Sequence, residues 1–376
     1  GIAKEMNRQQ MEVPLLIGGA TTSPKHTAVK IAPNYKEPII RVRDASKVAQ
    51  VVGNLLSEDK KIEFSNENRE KQEKLRKNFE KNKNPETISA DNAYKKRLKL
   101  DWNNEHIAVP SFTGLKHIID FPIEKIREYI DWTFFFKAWQ MRGTYPRIMN
   151  DPVKGKVAKE LFQNANKMLD KINEDKLFQA NVAYGFWPAN SEKNDIVLYK
   201  NVNRLDELIR FNMLRQRKIK NGMTLSLSDF IAPVETKIED YIGAFAVTAG
   251  INAEDLAKKY EDSNDDYNSI MIKTLADRLA EALAELMHQK VRKEWGFPDD
   301  KNVTNEDLIR EKYRGIRPAF GYPACPNHEE KVKLFKILEA EKIGMKLTEN
   351  YSMTPAASVS GLYFSNKKSK YFSIEL

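Results

Sequence analysis

Arg317-Pro-Ala-Phe-Gly-Tyr-Pro-Ala-Cys-Pro-Asn-His328 concentrates three prolines, one glycine and the only cysteine of the chain in twelve residues. Proline fixes φ and removes a backbone donor, so this run is neither an ordinary helix nor a central strand. It reads as a stiff loop that presents Arg317, Tyr322 and His328 in set directions. Such rigidity suits either the grip on a ligand or a structural elbow between helices. A second group lies on a long helical stretch, where Asp277, Glu281, Glu285 and His288 share a face at spacings of four, four and three. Glu285-x-x-His288 matches the unit of carboxylate-bridged di-iron bundles. That chemistry needs the unit twice, and none of His26, His106, His117 and His328 has Glu three residues earlier, so no metal is expected. The face is either solvated or supplies an inward carboxylate for a ligand amine. Asp131-Trp132, at a helix end, is either a surface cap or a partner for a ligand ammonium. Gly18-Gly19 before Thr21, Thr22 and Ser23 sits at a strand-to-helix turn; it is neither G-x-G-x-x-G nor a phosphate-binding loop. Cys325 lies between prolines with no cysteine partner and reads as packing, and no Ser/His/Asp elbow is present.

The elements that must carry these residues follow from periodicity. Val13 to Ile17 and Pro38 to Val42 read as buried strands; Pro24 opens a helix through Ile31, and a second helix runs from Asp44 to Leu56. Strand, tight loop, helix, strand, helix is the closing half of a parallel doubly wound sheet. Two strands do not make that sheet alone, and the chain opens on Gly in a helical stretch; both suggest a fragment of a longer protein. Residues 58–90 are charged and poor in apolar residues, as expected of a linker. From about residue 91, short helices are expected over Pro122–Trp132 and Thr133–Met141, and an amphipathic helix over Lys154–Ile172. Strands follow at Val182–Trp187, Asp195–Tyr199, Leu208–Leu214 and Tyr241–Thr248. A long helix is expected over Asp266–Trp295, a short one from Thr304, and another over Glu329–Glu341. Ser358–Phe364 and Lys370–Ile374 are expected to pair as closing strands. Strands separated by turns and grouped helices define an α+β fold with a twisted antiparallel sheet, preceded by a partial Rossmann-like α/β segment.

Composition bounds the rest. The 376 residues are 41% hydrophobic and 31% charged, suited to a globular protein of two domains. No apolar run approaches the roughly 20 residues of a membrane span, and no signal peptide is visible. One cysteine fits a reducing cytoplasm. The net charge of +9 is concentrated over Lys60–Lys83, which holds nine basic residues against five Glu. Mixed signs at helical spacing, with few interleaved aromatics, argue against a nucleic-acid surface.

Taken together, Leu15-Leu-Ile-Gly-Gly-Ala-Thr-Thr-Ser23, Tyr129-Ile-Asp-Trp-Thr133, Asp240-Tyr-Ile-Gly-Ala-Phe-Ala-Val-Thr248, Ala276-Asp-Arg-Leu-Ala-Glu281 and Gly315-Ile-Arg-Pro-Ala-Phe-Gly-Tyr-Pro-Ala-Cys-Pro326 resemble the C-terminal region of the cobalamin-dependent methionine synthases. The resemblance runs along nearly the whole chain and is poorest in the charged stretch. It implies the end of a truncated cobalamin-binding domain over 1–57, a linker over 58–90, and an S-adenosylmethionine-binding activation domain over 91–376. It implies a part in 5-methyltetrahydrofolate–homocysteine methyltransferase: the reductive methylation of cob(II)alamin to methylcobalamin, with the methyl from S-adenosylmethionine and an electron from flavodoxin or a similar flavoprotein. Implied S-adenosylmethionine ligands are Asp131, Arg317, Ala319, Tyr322, Tyr371 and Phe372, with Glu281 beside them; implied cobalamin contacts are Gly18, Gly19 and Ala45. No residue is implied as catalytic or as a metal ligand. The D-x-H-x-x-G motif for the lower cobalt ligand is absent, as are the folate module and the homocysteine module with its zinc cysteines. The fragment is therefore expected to depend on other modules of the same polypeptide. Two alternatives stand: a module that docks flavodoxin and caps cobalamin, and an independent S-adenosylmethionine methyltransferase. The missing Rossmann glycine fingerprint speaks against the latter.

Overall fold

Leu15–Ile17 (β1) and Ile39–Arg41 (β2) are too short to stand alone, and they form a parallel pair in register Leu15↔Ile39. The computed structural model describes residues 2–18, 23–42, 48–57, 59–81, 87–300, 303–304, 307–308 and 310–374. The chain divides into two units, Gly1–Thr87 and Ile88–Leu376. In the first, the strand pair is flanked by helices at Ile2–Arg8 (α1), Pro24–His26 (α2), Val48–Leu56 (α3) and Lys61–Lys81 (α4). Ser23 caps α2 by accepting from His26 N–H at 3.0 Å, with Pro24 at the position where its missing donor is harmless. The charged stretch, expected as a linker, contains α4, which belongs to this unit. Its Gln72 and Asn68 side chains donate to the Ile39 carbonyl at 2.6 and 3.0 Å, and Phe64 packs on the cluster of Ile40, Val42 and Leu55. One apolar residue, two amides at helical spacing and Arg76, which donates to the Ala28 carbonyl at 3.2 Å, seat an otherwise polar helix.

The second unit is built on a six-stranded antiparallel sheet. Its strands are Gly114–Ile118 (β3), Gln179–Glu192 (β4), Asp195–Tyr199 (β5), Glu207–Asn212 (β6), Asp240–Ile251 (β7) and Ser358–Tyr363 (β10). The order is β10-β7-β4-β5-β6, with β3 paired to β4. A small hairpin, Lys346–Leu347 (β8) and Met353–Thr354 (β9), stands apart. Strands β4 and β7 are buried on both faces and alternate with period two. Val182, Tyr184, Phe186, Phe245 and Val247 face one core; Ala183, Trp187, Ala189, Ala244 and Ala246 face the other. After Ala90–Lys95 (α5), the helices over the first face are Ile123–Arg127 (α6), Trp132–Ala138 (α7), Gly155–Glu174 (α8), Ala253–Asp262 (α9) and Asp266–Glu294 (α10). Glu330–Leu338 (α11) and the proline-rich loop cover the second through Leu334, Leu338, Phe320 and Cys325. The fold is α+β as expected. Among the described residues no helix is long and apolar enough to cross a membrane.

One expectation fails. Lys370–Ile374 is not a strand and does not pair with β10, whose partner is β7 in register Ser358↔Thr248. The segment instead lies across the proline-rich loop. Ile374 N–H donates to the Pro323 carbonyl at 2.7 Å, and the Ser373 carbonyl accepts from the Gln216 side chain at 2.9 Å.

Candidate functional site

Helix α10, the N-terminus of α7, the proline-rich loop and the C-terminal segment converge on one cleft. It consists of two hollows of about 290 and 440 Å³ that share Glu281 and Arg317 in their walls. Ligand sites typically enclose about 300–1,000 Å³. Asp131, Glu281, Glu285 and Arg317 line the first hollow, together with Tyr129, Phe134 and Arg278. Glu281, Arg317, Ala319, Tyr322, Tyr371 and Phe372 line the second. All seven residues expected at an S-adenosylmethionine site therefore meet in one place.

Each is held by a local device. Asp131 is the N-cap of α7: one carboxylate oxygen accepts from Thr133 N–H at 2.9 Å, and the other has no hydrogen bond among the described residues. The loop is pinned at its start by reciprocal bonds between Ile316 and Phe364, and by Leu362 N–H donating to the Pro318 carbonyl at 3.0 Å. It then turns at Gly321, whose φ is +95° and whose missing side chain leaves room for the His328 ring. Gly321 N–H donates to the Cys325 carbonyl and Cys325 N–H to the Tyr322 carbonyl, which turns Tyr322 outward to 64% exposure. His328 thus supports the turn from behind and does not line the cleft. Cys325 is buried, its thiol pushed up to about 12 by burial, and it donates to the Ala319 carbonyl at 3.0 Å. A thiol so protonated is no nucleophile. Tyr371 accepts from Arg317 N–H at 3.1 Å, and Phe372 sits 6.5 Å from the Phe230 ring.

Arg317 is the centre of the polar network. Its Nη1 donates to the Tyr313 hydroxyl at 3.0 Å and to His288 Nδ1 at 3.3 Å, and it forms an ion pair with Glu285 Oε2 at 2.6 Å. Nε and Nη2 make no hydrogen bond among the described residues. A guanidinium only donates, so His288 Nδ1 accepts and its proton sits on Nε2. Burial, then Arg317 and Arg292, holds His288 well below its ordinary pKa and keeps it neutral. Burial raises the Glu285 carboxyl, an effect opposed by Arg317. Tyr313 is itself fixed by Arg292, which lies 4.0 Å over its ring and grips Asp299 with two bonds of 2.6 Å. The Glu285-x-x-His288 spacing thus serves an arginine, and a cation there leaves no place for a metal. Among the described residues no cluster of His, Cys, Asp and Glu is arranged to hold one.

Periodicity alone did not single out Tyr129, whose hydroxyl donates to Gln289 at 2.6 Å, nor Phe134 with Arg278 5.9 Å from its ring. Tyr313 was also missed, and Glu285 was read for the wrong partner. The one available signal was the shared helical face of Glu281, Glu285 and His288. On the other unit, Gly18 directly follows β1, and a side chain added there would meet nothing within 4 Å. Gly19 and Ala45 lie outside the described residues.

The antiparallel sheet, with α6 to α10 over one face and α11 with the proline-rich loop over the other, frames an α+β domain with a cleft of small-molecule size. Residues 122–376 match the family model for the vitamin B12 dependent methionine synthase activation domain, and the chain belongs to that family. A solved structure described as the MetH reactivation domain bound to AdoHcy is 45% identical to this chain. It superposes with a TM-score of 0.75, and the match covers 76% of this chain and 89% of that one.

Proposed function

We propose that the cleft binds S-adenosylmethionine, and that the module presents the ligand's methyl group for the reactivation of oxidised cobalamin in methionine synthesis. The observation that carries the reading is the pairing, in one cleft, of a half-used carboxylate (Asp131) with a guanidinium whose Nε and Nη2 are unbonded (Arg317). These suit the ammonium and carboxylate of an amino-acid end. Tyr322, Tyr371 and Phe372 offer aromatic surface to a sulfonium or adenine, and Ala319 offers backbone. The related reactivation domain bound to AdoHcy supports the same chemistry. Bound S-adenosylmethionine supplies an electrophilic methyl on a cationic sulfur. The chain's own residues bind, orient and exclude water, and positioning of this kind contributes up to roughly 7–11 kcal/mol in favourable cases.

The finer parts of the reading are a contact to cobalamin through Gly18, Gly19 and Ala45, an acidic flavoprotein of the flavodoxin kind as reductant, other modules of a longer synthase as partners, and a cytoplasmic setting. The net charge of +9 supports an acidic partner, the family match supports further modules, and the lone free cysteine supports the cytoplasmic setting. The open surroundings of Gly18 do not by themselves call for a corrin.

Calorimetric titration of the full chain with S-adenosylmethionine tests the site. Saturable binding is expected, weakened about tenfold in Asp131→Asn. Asparagine keeps the cap on α7, so the melting temperature should not move. Absence of binding at millimolar ligand overturns the reading.

A further inference from the structure

Glu285 is almost fully buried, one of its oxygens is bound to Arg317 at 2.6 Å, and the other, Oε1, has no hydrogen-bond partner. A buried carboxylate left half-satisfied is a poor way to stabilise a fold. An apolar side chain here, on a stretch of helix whose Ala282, Leu283 and Met287 are core residues, would serve the core better. What Glu285 does achieve is geometric. With Tyr313 and His288 it engages a single nitrogen of the guanidinium, Nη1, and leaves the Nε and Nη2 edge without a protein partner. That edge has the fork geometry that takes a carboxylate by two parallel bonds. An arginine free to rotate would lose rotamer entropy on every binding event.

We propose that Glu285 is the positioning residue of this site: acting through Arg317, it presets the guanidinium so that its free edge receives the α-carboxylate of the ligand. The inference rests on the reading of the cleft as an S-adenosylmethionine site and adds to it the residue that sets recognition of the amino-acid end. His288 shares the task as the neutral acceptor behind the same nitrogen, because a protonated imidazole would repel it.

A ligand without the amino-acid end separates positioning from general damage. S-adenosylmethionine and 5′-methylthioadenosine are titrated into the full chain and into Glu285→Gln. The expected result is a loss of about tenfold for S-adenosylmethionine, with 5′-methylthioadenosine changed less than about twofold, the scale of one charge-assisted bond. Equal losses for both ligands, or no loss for either, would overturn the proposal. Should Glu285→Gln fold poorly, the Arg317→Ala background is used. There Glu285 is a buried charge without its partner, so adding Glu285→Gln should raise the melting temperature and weaken S-adenosylmethionine no further. A further loss of affinity in the double variant would sink the idea. If the unaltered chain binds neither ligand, it is the site reading that fails; if it binds both and the variants behave alike, the role of Glu285 alone falls.

Discussion

His288 shows how much one buried ring can decide. It stacks on Tyr363 at 5.1 Å, meets Tyr313 edge-on at 4.8 Å, and faces the Arg317 guanidinium, with Arg292 near enough to add to the field. Below its ordinary pKa of 6.5 the unfolded chain binds a proton that the folded chain refuses. Stability from this residue is therefore complete above pH 6.5 and drains away as the pH falls toward the folded value. Asp240 runs the other way. Burial lifts its carboxyl from 3.8 to about 6, although Ala232 and Tyr241 N–H groups bond it, so its folded form takes a proton early and gains stability on acidification. The two residues oppose each other between about pH 4 and 6, and the whole chain conceals both. Replacing the imidazole exposes its share. The stability lost in His288→Gln, measured by urea unfolding, should shrink between pH 7 and pH 5 by up to about 1.4 kcal/mol per pH unit. A loss identical at both pH values would contradict a neutral buried ring.

At the scale of elements, periodicity read some segments well and was blind to others. β4 and β7 were legible because a strand buried on both faces leaves an almost unbroken apolar run, as in Tyr241–Thr248. The cap of α7 was legible because Asp before Trp132 and Thr133 is a local signal. Lys370–Ile374 is not the strand its apolar residues suggest, because a short apolar run carries no mark of its partner. Its bonds go to Pro323, Gln216 and Arg317, which are about 50 to 160 residues away in sequence. The site residues on the loop were named from its stiffness and its family pattern; Glu285 was hidden because its partner lies across the fold. The seat of the loop depends on Gly361 of β10, where a side chain would come 2.5 Å from the Pro318 carbonyl oxygen, a backbone atom with little room to retreat. Gly361→Ala should cost about 1–3 kcal/mol by overpacking and should weaken S-adenosylmethionine binding, because the loop must lift from Leu362 N–H. A variant with unchanged melting temperature and unchanged affinity would show that the loop is not seated this way.

The whole molecule joins two units of unequal means. Gly1–Thr87 gathers two small apolar clusters, around Ala3, Tyr35 and Ile39 and around Ile40, Val42 and Leu55, on a two-stranded parallel pair. Such a pair is marginal without further strands. Ile88–Leu376 carries both large cores and the whole of the candidate cleft. Its first residue is already tied in, since Ile88 and Arg217 exchange bonds of 2.9 and 2.8 Å. A chain cut to residues 88–376 should therefore fold cooperatively and bind S-adenosylmethionine within about twofold of the full chain, a factor worth only about 0.4 kcal/mol. Calorimetry of the full chain should show a weak early transition that the cut chain lacks, and a main transition that both share. A cut chain that melts well below that main transition, or loses the ligand, would mean that the first unit supplies stability or contacts that the cleft does not hold by itself.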